Sequence, residues 1–118
     1  MHIFAIDDNT DITKLLDTVL TSVGYEFSCV NNGRDGLRNI REQKYDVVLL
    51  DLSMPGFSGL DVVNELVNDG IINKQKIVLF TASSVSDREI DDLIKKGVNS
   101  CIRKPVDIDI LLDKISQL

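Results

Sequence analysis

The 118-residue chain reads as an α/β fold, a single parallel sheet with helices on both faces. Three observations predict it. Short apolar runs alternate with longer segments of helical period, five times over. The central run, Val47 to Leu50, is apolar at every position, as a strand buried on both faces must be. Turn and capping residues punctuate each changeover.

Each element can be justified in order. His2 to Ile6 is the first strand, broken at Asp7-Asp8-Asn9. Ile12, Leu15, Leu16, Val19, Leu20 and Val23 then recur at helical spacing until Gly24 stops the helix. Glu26 to Val30 reads as the second strand, Asn31-Asn32-Gly33 as a turn, and residues 34–43 as a helix with Leu37 and Ile40 inward. After the Val47–Leu50 strand, Met54-Pro55-Gly56 forces a loop. Ser58 suits the cap of a helix carrying Leu60, Val63, Leu66 and Val67. Lys76 to Thr81 is the fourth strand. Ser86 with Glu89 three residues on is a capping-box pattern for a helix with Ile90, Leu93 and Ile94, ended by Gly97. Ser100 to Ile102 is a short last strand, and Asp107 caps a final helix with Ile108, Leu111, Leu112, Ile115 and Leu118. Right-handed crossovers leave few topologies for five βα units, and the flavodoxin-like order 2-1-3-4-5 is the expected one.

Composition bounds the function. The length suits one domain over residues 1–118. A net charge of −6 disfavours direct nucleic-acid binding, which needs clustered Lys and Arg. No apolar run approaches the ~20 residues of a membrane span, and Met1 opens straight into a strand with no signal peptide. Cys29 and Cys101 fall on strands at opposite sheet edges, too far apart for a disulfide. Both are expected to be buried thiols in a reducing cytoplasm.

The predicted order places strands 1, 3 and 4 side by side. Asp7 and Asp8 end the first, Asp51 the third and Thr81 the fourth, while Lys104 follows the fifth. Ligands of open α/β sheets bind at that edge. Three close carboxylates repel by roughly 4 kcal/mol per pair at ~4 Å and an effective dielectric of ~20, so the cluster must raise a pKa or bind a cation. Hard oxygen ligands on a wet rim suit Mg2+. Asp51 is then a candidate nucleophile forming an acyl phosphate, with Lys104 neutralising phosphoryl oxygens and the Thr81 hydroxyl donating to another. His2 lies at the other end of its strand, away from the acids. The acidic start of the fourth helix (Asp87, Glu89, Asp91, Asp92) reads as a solvated face that suits the helix dipole.

With these residues in place, the chain resembles a response-regulator receiver domain over essentially its whole length. The motifs are AIDDN at 5–9, VVLLDLSMPGFSGLD at 47–61, LFTAS at 79–83 and RKP at 103–105. The resemblance implies that Asp51 is the phospho-acceptor and that Asp8 binds the metal directly, with Asp7 acting through water. It implies that the Ser53 carbonyl is a further metal ligand, alongside Asp51, and that Thr81 and Lys104 hold the phosphoryl group. It implies a cis Lys104-Pro105 bond and Mg2+ as cofactor, with Mn2+ as a substitute. The implied donor is a phosphohistidine on a sensor histidine kinase or phosphotransfer protein. The resemblance also implies that the domain catalyses only its own phosphorylation and dephosphorylation, and that its helix 4–strand 5–helix 5 face switches for a downstream protein or output domain.

One position departs from the family pattern. An aromatic residue usually precedes the Lys-Pro lysine by three, and here that residue is Cys101. Switching is therefore expected without a large ring movement, through the loop after strand 4. Ser53 and Ser83, at two positions that tune lifetime in the family, are small and neutral, which implies slow self-dephosphorylation. The charge pattern of receivers that pair through helices 4 and 5 is not evident, so a monomer is expected. The end of the chain at the last helix fits a stand-alone receiver, a relay carrier or a piece of a longer protein. Alternatives are an FMN binder, disfavoured by the acid pair where a phosphate loop would sit, and an aspartate-nucleophile phosphatase, which lacks its second Asp at position 53. A third is a receiver-like interaction module that works without phosphorylation.

Overall fold

Every apolar run of the sequence forms a strand. The computed structural model describes residues 1–105 and 107–118. In chain order it contains β1 (His2–Ile6), α1 (Thr10–Ser22), β2 (Glu26–Val30), α2 (Gly33–Glu42) and β3 (Val47–Leu50). These are followed by α3 (Gly59–Asn68), β4 (Lys76–Ala82), α4 (Asp87–Lys96), β5 (Ser100–Lys104) and α5 (Ile108–Ser116). The strands pair in parallel in the order β2-β1-β3-β4-β5, as expected.

Three boundaries differ from the sequence reading. Helix α2 starts at Gly33 because the Asn32 side chain accepts from the Asp35 N–H and caps it there. Strand β4 runs on to Ala82 and β5 to Lys104, since the two pair up to Ala82–Lys104. Thr81 sits on strand backbone, as expected, and Lys104 does so too rather than in the loop after β5. At α4, Ser86 accepts from the Glu89 N–H, but the reciprocal capping box is found at α3, between Ser58 and Asp61.

Alternation along the strands divides the core in two. Phe4, Ile6, Val48, Leu50, Ile77 and Leu79 face α2, α3 and α4, where they meet Leu37, Ile40, Val62, Val63, Leu66, Ile90 and Leu93. Ile3, Ala5, Val47, Leu49, Val78, Phe80 and Ile102 face α1 and α5, against Leu16, Leu20, Leu111 and Ile115. Truncating a fully buried leucine here, such as Leu20 or Leu66, costs about 2–5 kcal/mol. The same alternation aims the residues at the C-terminal ends of β1, β3, β4 and β5. Asp7, Asp51 and Lys104 continue the rows that face α1 and α5, while Thr81 continues the row facing α2–α4.

The helices seat on narrower stripes than their apolar spacing suggests. Leu15 and Val23 are about half exposed, at 51% and 50%, because α1 contacts the sheet through Leu16 and Leu20. Val67, Ile94 and Ile108 are exposed in the same way. The cysteines need a larger correction. Both are free, as expected, but neither is fully buried: Cys29 is exposed and Cys101 half-buried. Cys29 lies on β2, an edge strand with one neighbour and an open flank. Among the described residues, no helix is long and apolar enough to cross a membrane.

Candidate functional site

The site is assembled at the C-terminal ends of β1, β3, β4 and β5. Backbone hydrogen bonds carry the ladder past the strand ends: the Asp7 N–H donates to the Val30 carbonyl and the Asp51 N–H to the Ile6 carbonyl. Both carboxylates are thus held by continued sheet. Gly59 permits the next turn. A Cβ there would lie 2.1 Å from the Asp51 carbonyl oxygen, so the start of α3 can close on Asp51 only because position 59 has no side chain.

Asp7 is 2% exposed, Asp51 6% and Thr81 fully buried, while Asp8 stands in solvent. Carboxylate oxygens of Asp7, Asp8 and Asp51 lie within 4.8 Å of one another. Lys104 Nζ donates to Asp7 Oδ2 at 2.6 Å and lies 3.7 Å from Asp51 Oδ2. It also sits 5.1 Å from the centre of the Phe80 ring, so an aromatic face steadies the ammonium from below. The Asn9 N–H donates to Asp7 Oδ1 at 2.9 Å, and the Ser53 N–H donates to Asp51 Oδ1 at 3.2 Å.

Burial pushes the Asp51 carboxyl above its ordinary value. The Ser53 N–H and the Lys104 charge pull it back, and the charges of Asp7 and Asp8 push it further up. An excess of negative charge in a half-dry cleft is the condition that a divalent cation relieves. Thr81 Oγ1 supplies a second observation. Among the described residues, it is the one buried side-chain polar atom without a hydrogen-bond partner. Such a hydroxyl needs an explanation, and an oxyanion entering the cleft supplies one. The hard-oxygen donor set therefore fits Mg2+ with a phosphate-like group as co-ligand.

Asp7, Asp8, Asp51 and Lys104 come together at this edge, the Ser53 N–H reaches Asp51, and Thr81 lies on the adjacent strand β4, while His2 lies elsewhere, as expected. The His2 Nε2 instead pairs with Ser28 Oγ at 2.8 Å at the far end of the sheet. Ser53 follows Asp51 on the rim and Ser83 is exposed just beyond β4. The Lys104-Pro105 bond is cis. Cys101 is packed against the α2–α4 core, and burial raises its thiol pKa. Beside it, an open hollow of about 470 Å³ is lined by Asp87, Ile90, Asp91, Arg103 and Lys114. One of the acids read as merely solvated, Asp87, pairs with Arg103 at 2.7 Å. Sequence reasoning missed Asn9 and Phe80 as supports of the site. Asn9 was legible as a helix cap, whereas the Lys104–Phe80 contact left no sequence signal.

The profile of the response regulator receiver domain family matches residues 3–116. The chain belongs to that family. This receiver is 31% identical to protein PilH of Pseudomonas aeruginosa, over 98% of its own length and 94% of PilH. It is 33% identical to the transcriptional regulatory protein YkoG of Bacillus subtilis but spans about half (49%) of that protein. It spans 17% of the autoinducer sensor kinase/phosphatase CqsS of Vibrio cholerae, at 30% identity. Among solved structures it superposes on the response regulator TrrA of Thermotoga maritima, crystallised in complex with Mg2+ and BeF. The TM-score is 0.80 and the identity 32%, with 98% of this chain and 96% of TrrA covered. A receiver domain protein from Methanospirillum hungatei gives 0.83 at 26% identity, covering 96% and 89% of the two chains. Receivers of this family are signalling modules of two-component systems.

Proposed function

We propose that residues 1–118 form one receiver domain in which Asp51 accepts a phosphoryl group in a Mg2+-dependent reaction. A carboxylate oxygen of Asp51 attacks phosphorus as the bond from phosphorus to the donor nitrogen breaks, leaving an acyl phosphate and a free imidazole. The donor class is a phosphohistidine on a sensor kinase or phosphotransfer protein. Asp7, Asp8, Asp51 and the Ser53 carbonyl would hold the metal, with Mn2+ as a substitute. When bound, the ion neutralises phosphoryl oxygens. Lys104 carries positive charge to the Asp51 side of the cleft, and the Thr81 hydroxyl donates to an incoming oxygen. The Ser53 N–H holds Asp51 Oδ1 in place and orients the carboxylate.

The observation that carries this reading is the gathering of three carboxylates within 4.8 Å around an Asp51 that Lys104 approaches to 3.7 Å. Incubation with acetyl phosphate and Mg2+ should add one phosphoryl mass to the wild type and none to Asp51→Asn. Equal modification of the two proteins, or none of the wild type, overturns the reading.

Phosphorylation is proposed to reshape the α4–β5–α5 face for a downstream protein. With Cys101 in place of an aromatic ring, the change runs through the loop after β4 and into α4. Arg103 ties these parts together, donating to the carbonyls of Ser83 and Val85 and to Asp87. NMR of the phosphorylated protein should show its shifts across residues 82–98, and an undisturbed segment there rejects this route. The domain is proposed to act as a cytoplasmic monomer with no direct contact to nucleic acid or membrane.

A further inference from the structure

Asp8 is the least anchored member of the acidic cluster. It is exposed, lies between β1 and α1, and among the described residues no hydrogen bond holds its carboxylate. Its direction is therefore set by its backbone. The Asp7–Asp8 peptide is the first beyond the end of β1, and its carbonyl accepts from Asn31 Nδ2 at 2.8 Å. Asn31 approaches from the turn after β2, 24 residues away in sequence, and its Nδ2 also lies 3.5 Å from Thr13 Oγ1. Thr13 is buried in α1 and donates to the Thr10 carbonyl at 3.1 Å. One amide thus ties the Asp7–Asp8 peptide to the β2–α2 turn and to the first turn of α1. The Asp7 N–H is already fixed on the Val30 carbonyl. With both ends of Asp7 held, the plane of the next peptide is fixed, and so is the start of Asp8.

We infer that Asn31 is a positioning residue for the metal site: it aims Asp8 by holding the Asp7 carbonyl. This rests on the reading of Asp8 as a metal ligand proposed above. Without the Asn31 amide, the Asp7 carbonyl turns toward water, the peptide gains rotational freedom, and Asp8 must be ordered anew each time an ion binds. Partners that orient metal ligands typically contribute 10- to 100-fold in affinity. The effect should fall on Mg2+ binding and not on phosphoryl transfer once the site is filled.

The test is Asn31→Leu, which keeps the bulk and removes the donor, beside the wild type, Asp8→Asn and the double variant. Mg2+ is titrated alone, with backbone amide shifts as the readout. Asn31→Leu should raise the Mg2+ midpoint about tenfold. The phosphorylation rate with acetyl phosphate should return to within about twofold of wild type at saturating Mg2+. In the Asp8→Asn background the same substitution should change the midpoint little, because the aspartate it acts through is gone. A purely structural role would weaken binding equally in both backgrounds. An unchanged midpoint in folded Asn31→Leu, or an equal loss in both backgrounds, overturns the inference while leaving the metal site standing. A wild type indifferent to millimolar Mg2+ overturns both. If Asn31→Leu does not fold, Asn31→Ser undergoes the same titration, with the same outcomes deciding.

Discussion

Lys104 is a partner of Asp7 before it is a partner of Asp51: its Nζ lies 2.6 Å from Asp7 Oδ2 and 3.7 Å from Asp51 Oδ2. The ammonium offsets part of the negative charge of the acidic cluster. Lys104→Met leaves a nearly buried Asp7 without that partner, at a cost of about 1.5–3 kcal/mol. The variant should melt lower than wild type without Mg2+. Millimolar Mg2+ should raise its melting temperature by more than it raises that of wild type, since one cation replaces another. Phosphoryl uptake should nevertheless drop. Equal Mg2+ increments in both proteins would show that the lysine does not offset the acids.

Thr81 should show stability and function pulling apart. Its buried Oγ1 has no partner, so Thr81→Val removes an unsatisfied group while keeping the shape. Replacing such a group by an apolar one of the same shape is nearly neutral or stabilising. Denaturant melts should place Thr81→Val level with wild type or up to about 1 kcal/mol above it. Phosphorylation by acetyl phosphate should be slower, because a donor to the phosphoryl oxygens is gone. A variant both less stable and fully active contradicts the assignment.

The lifetime of the phosphorylated form should lie with two serines. Ser53 and Ser83 are both exposed beside the cleft, and neither offers a carboxylate or amide to orient water. The phosphoaspartate should outlast seconds. Ser53→Glu or Ser83→Asn should shorten its half-life severalfold, read as loss of the phosphoryl mass after the donor is removed. No change in either variant would place control of hydrolysis elsewhere.

Alkaline stability should report Tyr45. Its ring stacks on Phe4 at 4.4 Å between centroids and meets His2 edge-on at 4.9 Å. Burial raises its phenol pKa, and the charge of Glu42 raises it further. A folded pKa above the unfolded value favours the neutral phenol in the native state. That stability is fully present below the unfolded value near 10 and is lost as pH climbs through the folded one. Denaturant melts of Tyr45→Phe should therefore fall less than those of wild type between about pH 9 and 11. Parallel decline of the two would rule out Tyr45 as a source.

The strand order and the gathering of the three acids were legible because both are written locally. The first and third apolar runs are broken by those acids, and parallel topology puts those breaks on one edge. What stayed hidden depends on contacts between distant segments. Nothing near Asn31 announces its bond to the Asp7 carbonyl, and nothing near Phe80 announces the ammonium above it. Leu15 and Val23 fit the helical period but not the actual seat of α1, which periodicity alone does not locate. Cys29 was misjudged because residue type does not say which flank of an edge strand stays uncovered.

Gly33 packs so closely on the loop after Asp51 that a methyl group there would come within 2.2 Å of the Phe57 carbonyl oxygen. The first turn of helix α2 and that loop therefore meet backbone to backbone. A side chain added at position 33 would have to push helix and loop apart, so this seam depends on an atom that is not there.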